Sequence, residues 1–457
     1  MNSQAIRLPA QKSGAAGRYK LQVVEHPTLA VLRRFSGRYA GLSEDYDGSA
    51  GAYLSLTYEQ KKNHDVFLSK LVEENRGLLD SNRDQRVMVG GPIEGHNLIL
   101  DQGLNSIMTS LAWCNAFTAC VVGTGTTPTF TDSGAVTATA ASTTVTSSGS
   151  FFTSGMTGQL INFDTGEQRY ITFVDATHAT LSASLAIASP TLFCVYAVNQ
   201  TGLDTEVKRS NSYLTGSGNC GTSNTSSSQS MLRTYDFSAE GSNINYSELG
   251  WSYTTSSGSN LFSRTLISGG TVTVLTGQSL RVVYTLTVTV PSTNSSGSYA
   301  ITGWPVAPST LLTGNYNLGN PFSVTVLGTV NTSGGSSVNS ASAYEIGDAS
   351  FIGGGNSALR IATGTTLPTF GNNYSAGTTS ASSTIARASY SAGTFNRDWV
   401  FHFGVGDGNR TDFRGIELTS SGNTVFVFVF DEAQTKDNLH TLDVNVTIEV
   451  QRVLSNP

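Results

Sequence analysis

Residues 271–290 read "TVTVLTGQSLRVVYTLTVTV", two strand-like runs joined by a short Thr-Gly-Gln-Ser turn. From Leu280 onward the alternation is regular. Leu280, Val282, Tyr284, Leu286, Val288 and Val290 fall on one side of an extended chain, and Arg281, Thr285, Thr287 and Thr289 fall on the other, with Val283 the single exception. Side chains of a strand alternate between faces, so the stretch predicts a sheet with one buried face and one hydroxyl-rich face. At ~3.3 Å per residue, 280–290 extends roughly 36 Å, about twice the length of a common strand.

The rest of the chain agrees with a strand-rich protein. Its 457 residues suffice for several domains at ~100–200 residues each. Only 13% are charged, against about 25% in ordinary soluble domains, and 48 are glycine. Thr-rich strand faces and Gly/Ser/Asn loops suit an all-β architecture. Low charge together with 21 Phe and 17 Tyr excludes wholesale disorder. A net charge of −6 gives no whole-chain footprint for nucleic acid. No apolar run approaches the ~20 residues of a membrane span, so neither nucleic-acid binding nor membrane insertion is expected. The opening "MNSQAIRLPAQKSGAAGRYK" lacks the apolar core of a secretory signal. Cys114, Cys120, Cys194 and Cys220 form no CxxC pair and read as buried or free thiols, a Cys114–Cys120 bridge being the alternative.

Charge is concentrated at the front. "TYEQKKNHDVFLSKLVEENRGLLDSNRD" places Tyr58, Val66, Phe67, Leu71 and Leu78 near helical spacing. Before it, "RYKLQVVEHPTLAVLRRFSGRYA" predicts one or two short strands or an extended arm, broken at Pro27. A second amphipathic piece, "NLILDQGLNSIMTSLAW", precedes Gly/Thr-rich sequence. Beyond it lies an internal repeat. "TGTTPTF" at 124–130 returns as "TGTTLPTF" at 363–370, and "TSSGSNLF" at 255–262 returns as "TSSGNTVF" at 419–426. The strand ending at Val290 returns as "LDVNVTIEV" at 442–450. From Phe130 to Thr255 the chain runs 125 residues, but from Phe370 to Thr419 only 49. A self-contained module at about 135–200, with short strands and Gly and Asp-Ala turns, accounts for most of the difference.

The expected fold is therefore mainly β: two homologous antiparallel β-sandwich-like domains, a small inserted β-module, and an N-terminal region with an arm and short helices. The expected boundaries are 1–96 for the N-terminal region, 97–290 for the first β-domain with its insert, 291–340 for a Ser/Asn/Gly-rich bridge, and 341–457 for the second β-domain.

No pattern for catalysis emerges. GxSxG, Walker and HExxH motifs are lacking. "VVGTGTTPT" has no following Lys, and Pro128 opposes the helix that a phosphate loop would feed, so it reads as a turn. His26, His64, His96, His178, His402 and His440 are scattered. In "GDGNRTDFRGIE" (406–417), Asp407, Asn409 and Asp412 could offer oxygens to calcium. Thr411 stands where a further ligand is needed, and a turn between strands is the favoured reading. Trp251, Trp304 and Trp399 could stack on sugars if exposed, although core packing is favoured. No enzyme activity and no cofactor are expected.

Five phrases together carry a resemblance: "NLILDQGLNSIM" (97–108), "VVGTGTTPT" (121–129), "VNQTGLDTEVKR" (198–209), "INYSELGWSYTTSSGSNLFSRTLI" (244–267) and "LTGQSLRVVYTLTVTV" (275–290). Over roughly 95–290 the chain resembles virion proteins of tailed bacteriophages, of the tail, collar or fibre type. The resemblance implies a non-enzymatic structural component of the virion, assembled in the bacterial cytoplasm. It also implies a homo-oligomer, ring or trimer, docked to other virion proteins. We expect the charged N-terminal region to be the docking element. The alternative is a receptor- or glycan-binding tail fibre whose partner is a host-surface glycan.

Overall fold

The computed structural model describes residues 3–7, 11–81, 85–109, 118–214, 220–224, 228–258, 260–289, 295–302, 312–317, 358–366, 376–377, 379–381, 384–387, 390–420 and 423–454. The chain opens with strands β1 (Ser3–Arg7) and β2 (Gln11–Glu25). Helices α1 (Thr28–Tyr39), α2 (Ala50–Leu54), α3 (Tyr58–Glu74) and α4 (Arg76–Asp80) follow. Next come β3 (Val87–Met88), β4 (Ile93–Ile99), α5 (Asp101–Thr109) and β5 (Ala119–Gly123). Strands β6 to β13 occupy Phe130 to Tyr196. The first β-domain is completed by β14 (Glu206–Ser210), β15 (Cys220–Asn224), β16 (Ser228–Asp236), β17 (Ile244–Tyr246), β18 (Glu248–Ser252), β19 (Leu261–Leu266), β20 (Val272–Val274) and β21 (Ser279–Thr289). Strands β22 (Ser295–Thr302) and β23 (Leu312–Asn317) lie in the expected bridge, most of which falls outside the described residues. Then come β24 (Ala358–Ala362), β25 (Thr379–Ala381), β26 (Thr384–Arg387), β27 (Asn396–Phe403), β28 (Arg410–Ser420), β29 (Asn423–Lys436) and β30 (Thr441–Arg452).

The duplication is explicit in the strand pairing. In the first copy, β4, β19, β18, β5 and β14 pair in that order, and β15, β16 and β21 form a second ladder. In the second copy, β23, β29, β28, β24 and β25 pair in the same order, opposite β26, β27 and β30. All of these contacts are antiparallel, and each copy folds its two ladders face to face. The apolar row Leu280, Val282, Tyr284, Leu286 and Val288 of β21 is fully buried, as the alternation requires. It belongs to one continuous core with Trp251 and Phe262 of the first copy and Phe401, Phe413, Phe428, Leu442 and Val444 of the second. Trp251 stacks on Tyr284 with ring centroids 3.8 Å apart. Trp304 and the side chain of Trp399 lie outside the described residues.

The two runs of the stretch 271–290 are not a hairpin. β20 pairs with β17, whereas β21 pairs with β16 and β2. The turn between them holds Gly277 at φ +82°, and a Cβ there would lie 2.2 Å from Leu29 Cδ1 of α1. That combination of left-handed backbone and close approach admits only glycine.

β2, expected as short strands or an arm, lies inside the sheet. It pairs antiparallel with β21 over Gly14–Val24 and with β4 over Gly17–Leu21. Its first residues pair parallel with β30, at Gln11–Ala15 against Ile448–Arg452. β1 continues the same line beside β30 and also meets β22. Ala15, Tyr19 and Leu21 point into the core, while Arg18 is exposed and Lys20 half-buried. The pairing thus crosses the boundaries drawn at 96 and 290, and one continuous sheet joins both copies.

The insert spans β6–β13 as an eight-stranded sheet with its own core around Val145, Ile161, Phe163, Ile171 and Phe193. The helices behave differently from the apolar spacing that announces them. α3 starts at a capping box between Thr57 and Gln60, and its buried side is His64, Leu68 and Val72. Tyr58, Val66, Phe67 and Leu78 face outward instead.

Burial of phenols makes a prediction about alkaline stability. Tyr46 is pushed up to about 12, and Tyr19, Tyr53, Tyr235, Tyr246 and Tyr284 are also raised, each chiefly by burial. Their folded values exceed the unfolded one near 10. The stability they contribute is therefore complete below about pH 10 and is lost as pH rises toward the folded values. We expect alkaline unfolding in which phenolate absorbance rises together with loss of the near-ultraviolet dichroism. Titration of all tyrosines in a still-folded protein near pH 10 would contradict this.

Candidate functional site: a buried ion pair beneath the insert

Three of the phrases that carry the resemblance meet at one point. Glu248 on β18 and Arg264 on the neighbouring β19 are both completely buried. Ionised groups at such depth persist only when paired and hydrogen-bonded, and here both are saturated. Glu248 Oε1 accepts the backbone N–H of Gly125 at 2.9 Å and of Thr205 at 2.8 Å. Its Oε2 accepts Arg264 Nε at 3.0 Å and the N–H of Asp204 at 3.2 Å. Arg264 Nη2 donates to Asp204 Oδ2 at 2.7 Å, and that oxygen also accepts the N–H of Thr127. Arg264 Nη1 donates to Thr127 O and Gln200 Oε1, each at 3.0 Å.

The chain leaves the first copy for the insert just after Thr127 and returns just before Gln200. One guanidinium therefore holds both stems of the insert. The glycines of "VVGTGTTPT" serve the same contact, because a Cβ on Gly125 would lie 2.3 Å from Glu248 Oε1. The loop is a turn wrapped over a carboxylate rather than a phosphate cradle.

A second clamp holds the other side of the insert. Tyr170 of the insert donates its hydroxyl to Asp101 Oδ1 at 2.6 Å, at the start of α5. Arg452 near the end of β30 pairs with Asp101, donates to Tyr170 at 3.2 Å and lies over the Phe395 ring. Burial pushes the Tyr170 phenol up. Sequence reasoning missed Glu248, Arg264, Asp101 and Arg452, since nothing local marks a charge whose partners are tens to hundreds of residues away.

The loop named for calcium is internally occupied. Asp407 Oδ2 accepts the N–H of Gly404 at 2.9 Å, and Asn409 Nδ2 donates to Val405 O at 3.0 Å. Asn409 Oδ1 accepts Lys436 Nζ at 3.1 Å. Lys436 is buried, which lowers its pKa against the opposing pull of Asp407 and Asp437. Asp412 turns outward, 3.6 Å from Arg410. Among the described residues no group of three His, Cys, Asp or Glu side chains is set to hold a metal. Cys120 and Cys194 are buried free thiols, and burial raises the pKa of both. Cys114 and the side chain of Cys220 lie outside the described residues.

Two surfaces stand out. On α1, Val31, Phe35 and Tyr39 form an exposed apolar stripe at four-residue spacing, and Tyr39 stacks on Phe67 of α3 at 5.5 Å. On the outer face of the sheet, Arg18, Lys20, Glu94, His96, Leu232 and Val283 border an open hollow of ≈ 430 Å³.

Replacing Arg264 with Met keeps the packing but strands Glu248 without its cation. Removing one partner of a buried pair costs about 3–5 kcal/mol. We expect a lowered urea midpoint and earlier proteolytic release of the insert than in the wild type. The double replacement Glu248→Gln with Arg264→Met should recover part of that loss, and equal stability of the single variant and wild type would refute the clasp.

Comparison with known proteins identifies no relative: no family model, no curated protein and no solved structure matches the chain.

Proposed function

We propose that the chain is a non-enzymatic structural component of a tailed-bacteriophage virion, from the tail, collar or neck region. In this reading it assembles as a homo-oligomer and docks to other virion proteins through its N-terminal helices. The observation that carries the proposal is the fate of the resembling phrases. Residues 121–129, 198–209 and 244–267 close on the buried Glu248–Arg264 pair, and the strand within 275–290 packs over them. In this reading the resembling phrases carry a framework rather than an exposed reactive site. The duplication adds support, because two alike domains let a ring of n chains present 2n quasi-equivalent surfaces.

The docking element is the outer face of α1 and α3. Val31, Phe35, Tyr39 and Phe67 are exposed there, whereas Leu29, Leu32, Leu68 and Val72 fill the inner face. Contiguous exposed aromatics of this kind mark contact surfaces. A receptor- or glycan-binding fibre protein is the second reading, favoured by the basic hollow on the outer sheet face.

Deleting the N-terminal residues is an unsuitable test, because it would remove β2 from the sheet. Phe35→Ser with Tyr39→Ser leaves the core intact. We expect normal melting and incorporation into particles reduced about tenfold or more, the scale for two interface aromatics. Undiminished incorporation overturns the docking face, and absence of the chain from purified particles overturns the virion reading.

A further inference from the structure

The outer face of the sheet formed by β16, β21, β2 and β4 has its own pattern. Backbone register sets Leu232, Thr285, Arg18 and His96 in one row, and Thr234, Val283, Lys20 and Glu94 in the next. With Gly95, all of these except Thr234 line the open hollow of ≈ 430 Å³. Glu94 answers Lys20 at 3.5 Å. Arg18 and His96 sit directly opposite each other on β2 and β4. Among the described residues neither has a hydrogen-bonded or ionic partner.

Opposed side chains on adjacent strands stand about 4.5–5.5 Å apart at Cβ, near enough for one carboxylate or phosphate to bridge them. A guanidinium and an imidazole side by side present N–H donors that one anion can accept together. Beside them Val283, the one break in the alternation of β21, and Leu232 provide an apolar floor between the charged side chains of β2 and β4 and the hydroxyls along β21. Away from the hollow, Thr287 and Thr289 continue along β21, and Ser230 Oγ lies 2.8 Å from Thr287 Oγ1.

A sheet face offers side-chain hydroxyls but few backbone groups, since its amides are spent in the ladders. A peptide laid across it would leave its own amides unpaired, at a cost. A saccharide would not, because its hydroxyls pair with Ser and Thr and its C–H face covers aliphatic carbon. We propose that the hollow binds the acidic unit of an anionic polysaccharide. Arg18 and His96 hold its carboxylate or phosphate, Val283 and Leu232 lie under its ring, and the Thr287–Thr289 hydroxyls meet the following units.

The ligand class deepens the second functional reading and is independent of the first. Titration calorimetry at low ionic strength separates the cases, using oligogalacturonate, glucose 6-phosphate, a neutral maltooligosaccharide and oligo-aspartate as probes. At least one of the two anionic sugars should bind, and which one does identifies the anion. Affinity should fall about tenfold in Arg18→Gln, on the scale of one charge-assisted hydrogen bond, and should weaken with salt. His96→Gln should also bind less tightly, while Arg34→Gln on the helical face should bind as wild type does. Failure of both anionic sugars to bind overturns the proposal, as does binding indifferent to Arg18 and His96. Equal binding of oligo-aspartate overturns it in favour of a protein partner. None of these outcomes touches particle incorporation, which tests the structural reading separately.

Discussion

Backbone hydrogen bonding along Ser3–Arg7 and Gln11–Glu25 is the constraint on which the rest of the molecule depends. β2 gives one edge to β21 and shares the other between β30 and β4. Without it, the central strands of both copies would each carry a row of unpaired amides beside a buried apolar face. Such rows are costly when covered and sticky when exposed. The duplicated halves are therefore spliced into one sheet by a strand that belongs to neither repeat.

Buried charge then decides where the added pieces sit. Arg264 pins both stems of the insert, and Arg452 with Asp101 and Tyr170 pins its flank. Arg281 pairs with Asp236 at 2.8 Å, and Arg86 reaches the same carboxylate at 3.5 Å, tying the end of the helical segment to β16. Arg33 of α1 meets Glu25 at the end of β2 at 2.9 Å. Pairs of this type add little net stability over apolar packing, because desolvation offsets most of the attraction. Their effect is positional: a misplaced insert or helix would leave a charge buried alone. The aliphatic and aromatic core supplies the main driving force.

Much of the architecture was legible in the residues. The alternation of 280–290 gave the buried row, and the recurring phrases located the second copy. The spacing between them pointed to a module at about 135–200, and the strands from Phe130 to Tyr196 form a sheet of their own. What stayed hidden was set by distant partners. Nothing in "RYKLQVVE" says that its neighbours are β21 and β30, and the Tyr58, Val66, Phe67 and Leu78 spacing predicts a helix but assigns the wrong side to the core. The inward side is carried by His64, whose ring Nε2 lies 3.1 Å from Arg33 O, together with Leu68 and Val72. The acidic loop at 406–417 looked able to take a cation because the lysine that fills it comes 27 residues beyond Asn409. Of the candidate site, only the glycines over Glu248 left a local trace, and their partner could not be inferred from them.

The parallel pairing of β2 with β30 also has a consequence in time. Gln11 meets Ile448, so the ribosome makes the two sides of that ladder far apart. At about 5–20 residues per second, the interval is on the order of 20–90 s. During it, the first copy lacks a partner along one edge of β2, and the insert lacks the Arg452 clamp on Asp101 and Tyr170. The nascent chain thus carries a first half with an open strand and an unclamped insert, both waiting for the last strand to be made. Synthesis of the second copy is what closes the first.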